Sequence, residues 1–239
     1  MKIKLVGKNL DDIRPILAEY GLVESASGFE TVIAYGGDGA LLSAERDFPG
    51  IPKLALRDGA TAPTCPFHDS TRVIQEFVSG KLKRFELPKL AASCPNGSCY
   101  ALNDLFLHNL DRSTALRYQV RIDGELYARE VRGDGVCMAS VHGSSAYYRC
   151  ITRGVFRVGI GVAFSNSTVE VDHLVLPETS VVELTVIRGP GVVIADNARE
   201  QLTVEVGETV EFRQSSSKAI IFGLDGFMCS HCRKLRHNC

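Results

Sequence analysis

Short apolar blocks alternate with longer amphipathic stretches over the first ninety residues. Residues 3–6, Thr31–Tyr35 and Lys53–Leu56 are runs of strand length and read as buried strands. Residues 11–20, 41–46 and 71–78 carry helical patterns. This alternation predicts a parallel sheet with helices packed on it, a fold class that binds ligands at the carboxyl ends of its strands. The character changes after residue 82. Residues 100–107, Leu116–Ile122, 155–164, 181–187, 192–195 and 203–206 read as strands. Asp123-Gly124 and Gly189-Pro190-Gly191 punctuate them, and Cys94-Pro95-Asn96-Gly97-Ser98-Cys99 reads as a hairpin corner. One helix-like patch, residues 144–150, interrupts. The expected layout is an α/β domain over 1–90, a β-rich domain over 91–213, and a segment, 214–239, that packs back on the first domain.

Composition narrows the function classes. The chain has 239 residues with 27 basic and 28 acidic side chains, so its net charge of −1 gives no general drive toward nucleic acid or an anionic membrane. No run of apolar residues is long enough for a transmembrane helix. The first residues, Met1-Lys2-Ile3-Lys4-Leu5-Val6-Gly7, turn polar too quickly for a signal peptide, so a cytoplasmic protein is expected. Eight cysteines at irregular spacing in a chain of this size argue against a secreted disulfide framework. Near the C-terminus Cys229, Cys232, His237 and Cys239 have a spacing that suits a four-ligand zinc site, or they are incidental thiols and an imidazole on a basic helix.

Two motifs carry chemistry. Gly36-Gly37-Asp38-Gly39 follows the strand Thr31–Tyr35 and precedes a helix. Strand, Gly-rich turn and helix form a phosphate cradle, because free backbone N–H groups and the helix dipole favour anions. Asp38 is the odd member, since a carboxylate repels phosphate. It caps the helix, accepts a proton from an attacking hydroxyl, or holds Mg²⁺. The second motif is Gly143-Ser144-Ser145-Ala146-Tyr147, small hydroxyls beside a glycine at a helix start, suited to phosphate or ribose oxygens. Asn103 and Asp104 stand as a polar pair in an otherwise apolar strand pattern, where they must find hydrogen bonds or face a ligand. Neighbouring strand residues point to opposite faces unless a bulge re-aims them. Asp134 lies in a Gly133-Asp134-Gly135 turn that by itself reads as a hairpin. There is neither a Walker lysine motif nor a Rossmann glycine fingerprint, Gly159-Ile160-Gly161 lacking its third glycine.

In order, Gly36-Gly37-Asp38-Gly39, Ala101-Leu102-Asn103-Asp104, Gly133-Asp134-Gly135, Gly143 to Tyr147, and Leu174-Val175-Leu176-Pro177-Glu178 resemble the NAD kinase family over residues 31–196. The resemblance implies that family's two-domain fold. It also implies transfer of the terminal phosphoryl of ATP to the 2′-hydroxyl of the adenosine ribose of NAD, giving NADP, with Mg²⁺ or another divalent cation. By resemblance Asp38 is the catalytic base, and Gly36, Gly37 and Gly39 cradle phosphate. Asn103 and Asp104 hold the dinucleotide, Asp134 contacts it, and Ser145, Ala146 and Tyr147 line the adenosine pocket. The family's habit implies a homo-oligomer. Arg57 stands where the family carries asparagine, Val141 and His142 replace Pro and Thr, and Arg149-Cys150-Ile151-Thr152 follows Tyr148. Alternatives of other classes are a dinucleotide-binding protein without turnover, or a lipid or sugar kinase sharing only the Gly-Gly-Asp-Gly turn.

Overall fold

The computed structural model describes residues 1–60, 65 and 68–229. They form two compact units, one from residues 1–87 and from 218 onward, the other from 88–217.

The first unit is a parallel sheet covered on both faces. Its strands are β1 (Lys2–Gly7), β2 (Val23–Glu24), β3 (Thr31–Tyr35) and β4 (Lys53–Leu56), in the order β2-β1-β3-β4. The end of β16 (Thr209–Phe222) adds parallel to β4, through Ile221 opposite Lys53. Every residue of β3 and β4 is buried, as expected of strands with helices on both sides. On one face Ile3, Leu5, Ile33, Leu54 and Leu56 meet Ile13, Leu17 of α1 (Arg14–Glu19) and Ile74 of α3 (Ser70–Val78). On the other, Val32 and Ala34 meet Ala44 of α2 (Asp38–Asp47). The single helix read over 11–20 is in fact a short 3₁₀ turn, Leu10–Asp12, followed by α1 with Pro15 in its first turn. Proline lacks the N–H that a continuous helix would need there. Lys53, buried inside the sheet, is neutralised by Glu45 of α2 and also donates to the Phe48 carbonyl.

The second unit is a β-sandwich. One sheet joins β16, β13 (Val182–Arg188), β8 (Leu116–Ile122) and β9 (Glu125–Gly133), all antiparallel. The other runs β12 (Leu174–Leu176), β11 (Ile160–Ser165), β10 (Gly135–Ala139), β7 (Asp104–Asn109), β14 (Gly191–Ala195), β15 (Leu202–Val204). A hairpin, β5 (Arg84–Cys94) and β6 (Gly97–Ala101), turns at Pro95-Asn96. Leu105, Leu107, Val136, Met138 and Val162 face Tyr118, Val120, Val131, Leu184 and Phe212 in one core. The opposite face of β7 and β10 is also covered, with Phe106, Cys137 and Ala139 packed under Tyr148 of α4 (Tyr147–Thr152) and Phe156. That double burial explains the unbroken apolar run of β7.

Three sequence readings change here. The strand read over 100–107 breaks at Leu102-Asn103 into β6 and β7. The strand read over 155–164 begins only at Ile160, because Phe156 leaves the sheet to pack on Tyr148. The Gly133-Asp134-Gly135 turn is not a hairpin: β9 pairs in one sheet and β10 in the other, so it is the corner where the chain changes sheets. Gly135 makes that corner possible. Its φ is +144°, and a Cβ there would lie 1.8 Å from the Leu107 carbonyl oxygen.

Gly135→Ala should therefore destabilise the protein by about 3 kcal/mol or more. Gly124→Ala, also at positive φ (+82°) but with no atom of the described residues within 4 Å, should cost only about 1–2 kcal/mol. Urea denaturation of the two variants against the parent measures the difference.

Candidate functional site

The first unit carries the glycine-rich turn. β3 ends at Tyr35, Gly36 takes a φ of +154°, and α2 begins at Asp38 with Gly37 as its N-cap. Asp38 is thus the first helical residue and not the cap, and the Gly37 cap makes no side-chain hydrogen bond. Its carboxylate is 41% exposed and accepts from Arg57 Nη2 at 3.1 Å. Arg57, which follows β4, is buried. Its guanidinium lies 4.0 Å over the ring of Phe227, in α5 (Leu224–Phe227). It also donates to the Phe227 carbonyl through Nε at 3.1 Å and Nη2 at 2.9 Å. Stacking and a double donation fix a guanidinium far better than a flexible ammonium could be fixed. The cation orients the Asp38 carboxylate and offsets its repulsion toward a phosphate at the start of α2. Next to it Asp58, also buried, accepts from Asn9 Nδ2 at 2.8 Å and from the Ala60 N–H at 2.9 Å.

The second unit carries the polar pair. At the end of β14, Asp196 accepts from the backbone N–H groups of Leu102 (2.7 Å), Asn103 (2.8 Å) and Asp104 (3.1 Å). Its own N–H donates to the Asp104 carbonyl at 2.9 Å. These bonds replace ladder bonds and lift Asn103 out of the strand. The freed Asn103 carbonyl accepts from the Ser140 N–H at 2.8 Å. Ser140 Oγ donates to the Leu102 carbonyl at 2.6 Å and accepts from the Gly143 N–H at 3.1 Å. A Cβ on Gly143 would stand 2.1 Å from the Asn103 carbonyl oxygen, so only glycine allows this approach. The turn Gly143–Ser145 and Ala146 are thereby held beside Asn103, and the N–H of Tyr147 bonds the Asp104 carboxyl. Asn103 Oδ1 is buried and meets no donor among the described residues. Such an orphaned acceptor suits a ligand N–H or O–H.

Asp104 is buried, and that burial, with the charge of Asp196 second, pushes its pKa up to about 7 against the pull of the Tyr147 N–H. Burial also raises Asp196, and its three backbone donors and Lys89 oppose the rise. Tyr147 is exposed and sets its ring edge-on to Phe106 at 5.4 Å. It borders a cleft of about 620 Å³ whose walls include Arg153, Phe164, Asn166 and His173. Asn166 in turn donates to Asp134 Oδ2 at 2.6 Å, which ties Asp134 to the same cleft.

The residues expected to act on the dinucleotide, Asn103, Asp104, Asp134, Ser145, Ala146 and Tyr147, all belong to the second unit, while Asp38 and its glycines belong to the first. Sequence reasoning missed Asp196, although Asp196-Asn197 after an apolar strand is a turn signal. It also missed what Arg57 does. Of the cysteines and histidine considered for zinc, Cys232, His237 and Cys239 lie outside the described residues. Cys229 lies beside Cys65 and His68, the three donor atoms falling within 4.8 Å of one another.

No protein-family model matches the chain. It is 25% identical over 204 residues to the NAD kinase of Paraburkholderia phytofirmans, covering 78% of this chain and 66% of that protein. It is 31% identical over 134 residues to the NAD kinase of Natronomonas pharaonis, covering 52% and 49%. The chain thus spans just under two thirds, or about half, of these curated relatives. Among solved structures, the yeast NADH kinase complexed with NADH superimposes with a TM-score of 0.80 at 18% identity, over 97% of this chain and 87% of that one. An NAD kinase from Archaeoglobus fulgidus in complex with ATP gives 0.78 at 17%, over 98% and 99%. The fold is the two-domain fold of those kinases, an α/β domain with a mostly-β one.

The raised pKa of Asp104 makes stability depend on pH with a definite sign. Between about pH 4, where the unfolded carboxyl ionises, and about 7, where the folded one does, the native state holds the extra proton. Its contribution to stability is therefore full below pH 4, falls as pH rises through this window, and levels off above 7. Asp104→Asn should flatten that fall. Relative to the parent, the variant should be more stable at pH 8 than at pH 4 by on the order of 2–4 kcal/mol, read from denaturation midpoints at several pH values.

Proposed function

We infer that the chain is a divergent member of the NAD kinase family. We propose that it transfers the terminal phosphoryl of ATP to the 2′-hydroxyl of the adenosine ribose of NAD, giving NADP. The observation that carries the reading is Asp38 at the first position of α2, behind a glycine-rich turn and oriented by a buried arginine. The curated relatives named NAD kinase support it.

The reaction asks for positioning and charge neutralisation more than for covalent help. In this reading Asp38 takes the proton of the 2′-hydroxyl as the oxygen attacks the terminal phosphorus and ADP leaves. The N-terminus of α2 and the backbone of Gly36, Gly37 and Gly39 favour the phosphates. The divalent cation, Mg²⁺ by preference, arrives on the triphosphate as part of the substrate. Asn103, with its orphaned Oδ1, and Asp104 hold the dinucleotide, Asp134 contacts it, and Ser145, Ala146 and Tyr147 line the adenosine pocket. By family resemblance the protein works as a cytoplasmic homo-oligomer. Among the described residues no helix is long and apolar enough to cross a membrane.

One observation favours a second reading, a dinucleotide-binding protein without turnover: Arg57 engages Oδ1 of the very carboxylate that must accept the proton. The two separate cleanly. With NAD, ATP and Mg²⁺ the purified protein should form NADP, and Asp38→Asn should lower turnover by about 10²–10⁴ without loss of NAD affinity. Unchanged turnover in Asp38→Asn would refute its role as base. Calorimetric NAD binding with no NADP formed from ATP or polyphosphate, NADH also tried, would favour the binder.

A further inference from the structure

Outside the residues discussed for phosphoryl transfer, the first unit brings together a thiol, an imidazole and a second thiol from the two ends of its sequence. Cys65 Sγ lies 3.6 Å from Cys229 Sγ and 3.8 Å from His68 Nδ1. A disulfide needs about 2.05 Å between sulfurs. Two thiolates and an imidazole on one tetrahedral zinc, with Zn–S about 2.3 Å and Zn–N about 2.0–2.1 Å, stand about 3.6–3.8 Å apart along the edges. The two separations from Cys65 are those of ligands sharing a metal, and all three donor atoms lie within 4.8 Å of one another.

The tautomer of His68 agrees. Nε2 lies 2.9 Å from the Gly226 carbonyl oxygen and so carries the proton and donates. Nδ1, left with its lone pair, is the atom turned to the sulfurs, and it also receives the Cys65 N–H at 3.3 Å. A ligating histidine whose other nitrogen donates to a backbone carbonyl is the usual arrangement around protein-bound zinc. His68 is buried and both cysteines are partly so, which suits a closed structural site.

We propose that Cys65, His68 and Cys229 bind a structural zinc ion, or another thiophilic divalent cation, in the first unit. Cys232 follows Cys229 at the Cys-x-x-Cys spacing common in zinc sites. The site shares Cys229 with the ligand set expected from the C-terminal cysteines and histidine. It does not rest on the kinase reading.

The test is the metal content of the full chain, purified reduced and without a polyhistidine tag, by inductively coupled plasma mass spectrometry. Close to one zinc per chain is expected. Cobalt added to the metal-stripped protein should give the intense visible bands of a tetrahedral thiolate site. Cys65→Ser, His68→Gln and Cys229→Ser should each lower bound metal at least tenfold, while Cys94→Ser, in β5, keeps it. Cobalt titration of the parent protein keeps the test decisive even where a variant fails to fold. Less than a tenth of an equivalent of zinc together with no tetrahedral cobalt spectrum would overturn the proposal. So would a Cys65–Cys229 disulfide found in peptides of the non-reduced protein, or metal retained in all three variants.

Discussion

The carboxylate of Asp196 takes up the backbone N–H groups of Leu102, Asn103 and Asp104, and the part of the second unit around Asn103, Ser140 and Gly143 is arranged by that capture. Hydrogen bonds to a charged acceptor each contribute about 1.5–3 kcal/mol, more than the ladder bonds they replace. So the strand breaks where it would otherwise run on. The break turns the Asn103 carbonyl toward Ser140 and leaves room for Gly143 alone at the point of closest approach. From there the chain can only enter α4 with Tyr147 over Phe106. The arrangement has an electrostatic cost. A largely buried carboxylate beside the buried Asp104 sets two negative charges in one poorly solvated place, and the proton retained by Asp104 is the response.

Under the proposed reaction the first unit meets the opposite problem, a carboxylate at a turn that would receive phosphate. Arg57 answers it with a cation that is buried, stacked and twice bound to the Phe227 carbonyl. An asparagine there could orient Asp38 but not offset its charge. With Arg57 in place the Asp38–Arg57 pair is close to neutral as a unit. The field at the start of α2 is then set by the helix dipole and the turn's backbone, both of which favour anions.

The Arg57 pairing and the cysteine–histidine cluster share a structural dependence. Phe227 supplies both the ring and the carbonyl that fix Arg57, Gly226 supplies the carbonyl that orients His68, and Cys229 supplies a thiol to the cluster with Cys65. Three residues within the short stretch 226–229 therefore serve, between them, the pairing of Asp38 and the cysteine–histidine cluster. A metal bound to the proposed site would favour conformations in which residues 226–229 are in place, and with them the contacts that fix the guanidinium.

What could be read from the sequence follows the range of the interactions. Thr31–Tyr35 and the glycine turn were legible because strand burial and turn chemistry are written in neighbouring residues. So was the change from α/β alternation to a strand-rich second half. The strands β9 and β10 were not, since their apolar residues follow two different sheets on either side of Asp134, and no single period spans the corner. Asp104 was legible as a polar residue in an apolar strand, but the carboxylate that captures its backbone N–H sits 92 residues away in Asp196. Arg57 was legible only as a cation in place of the family's asparagine, because the carbonyl that fixes it lies 170 residues along the chain. Cys65 read as one of eight irregularly spaced thiols and His68 as a satisfied polar residue, since neither signals a ligand until the fold sets Cys229, 164 residues after Cys65, beside them. Local rules thus recover the elements and the turn that hold the chemistry. The partners that tune the charge of each site come from the far end of the chain, where only the fold can supply them.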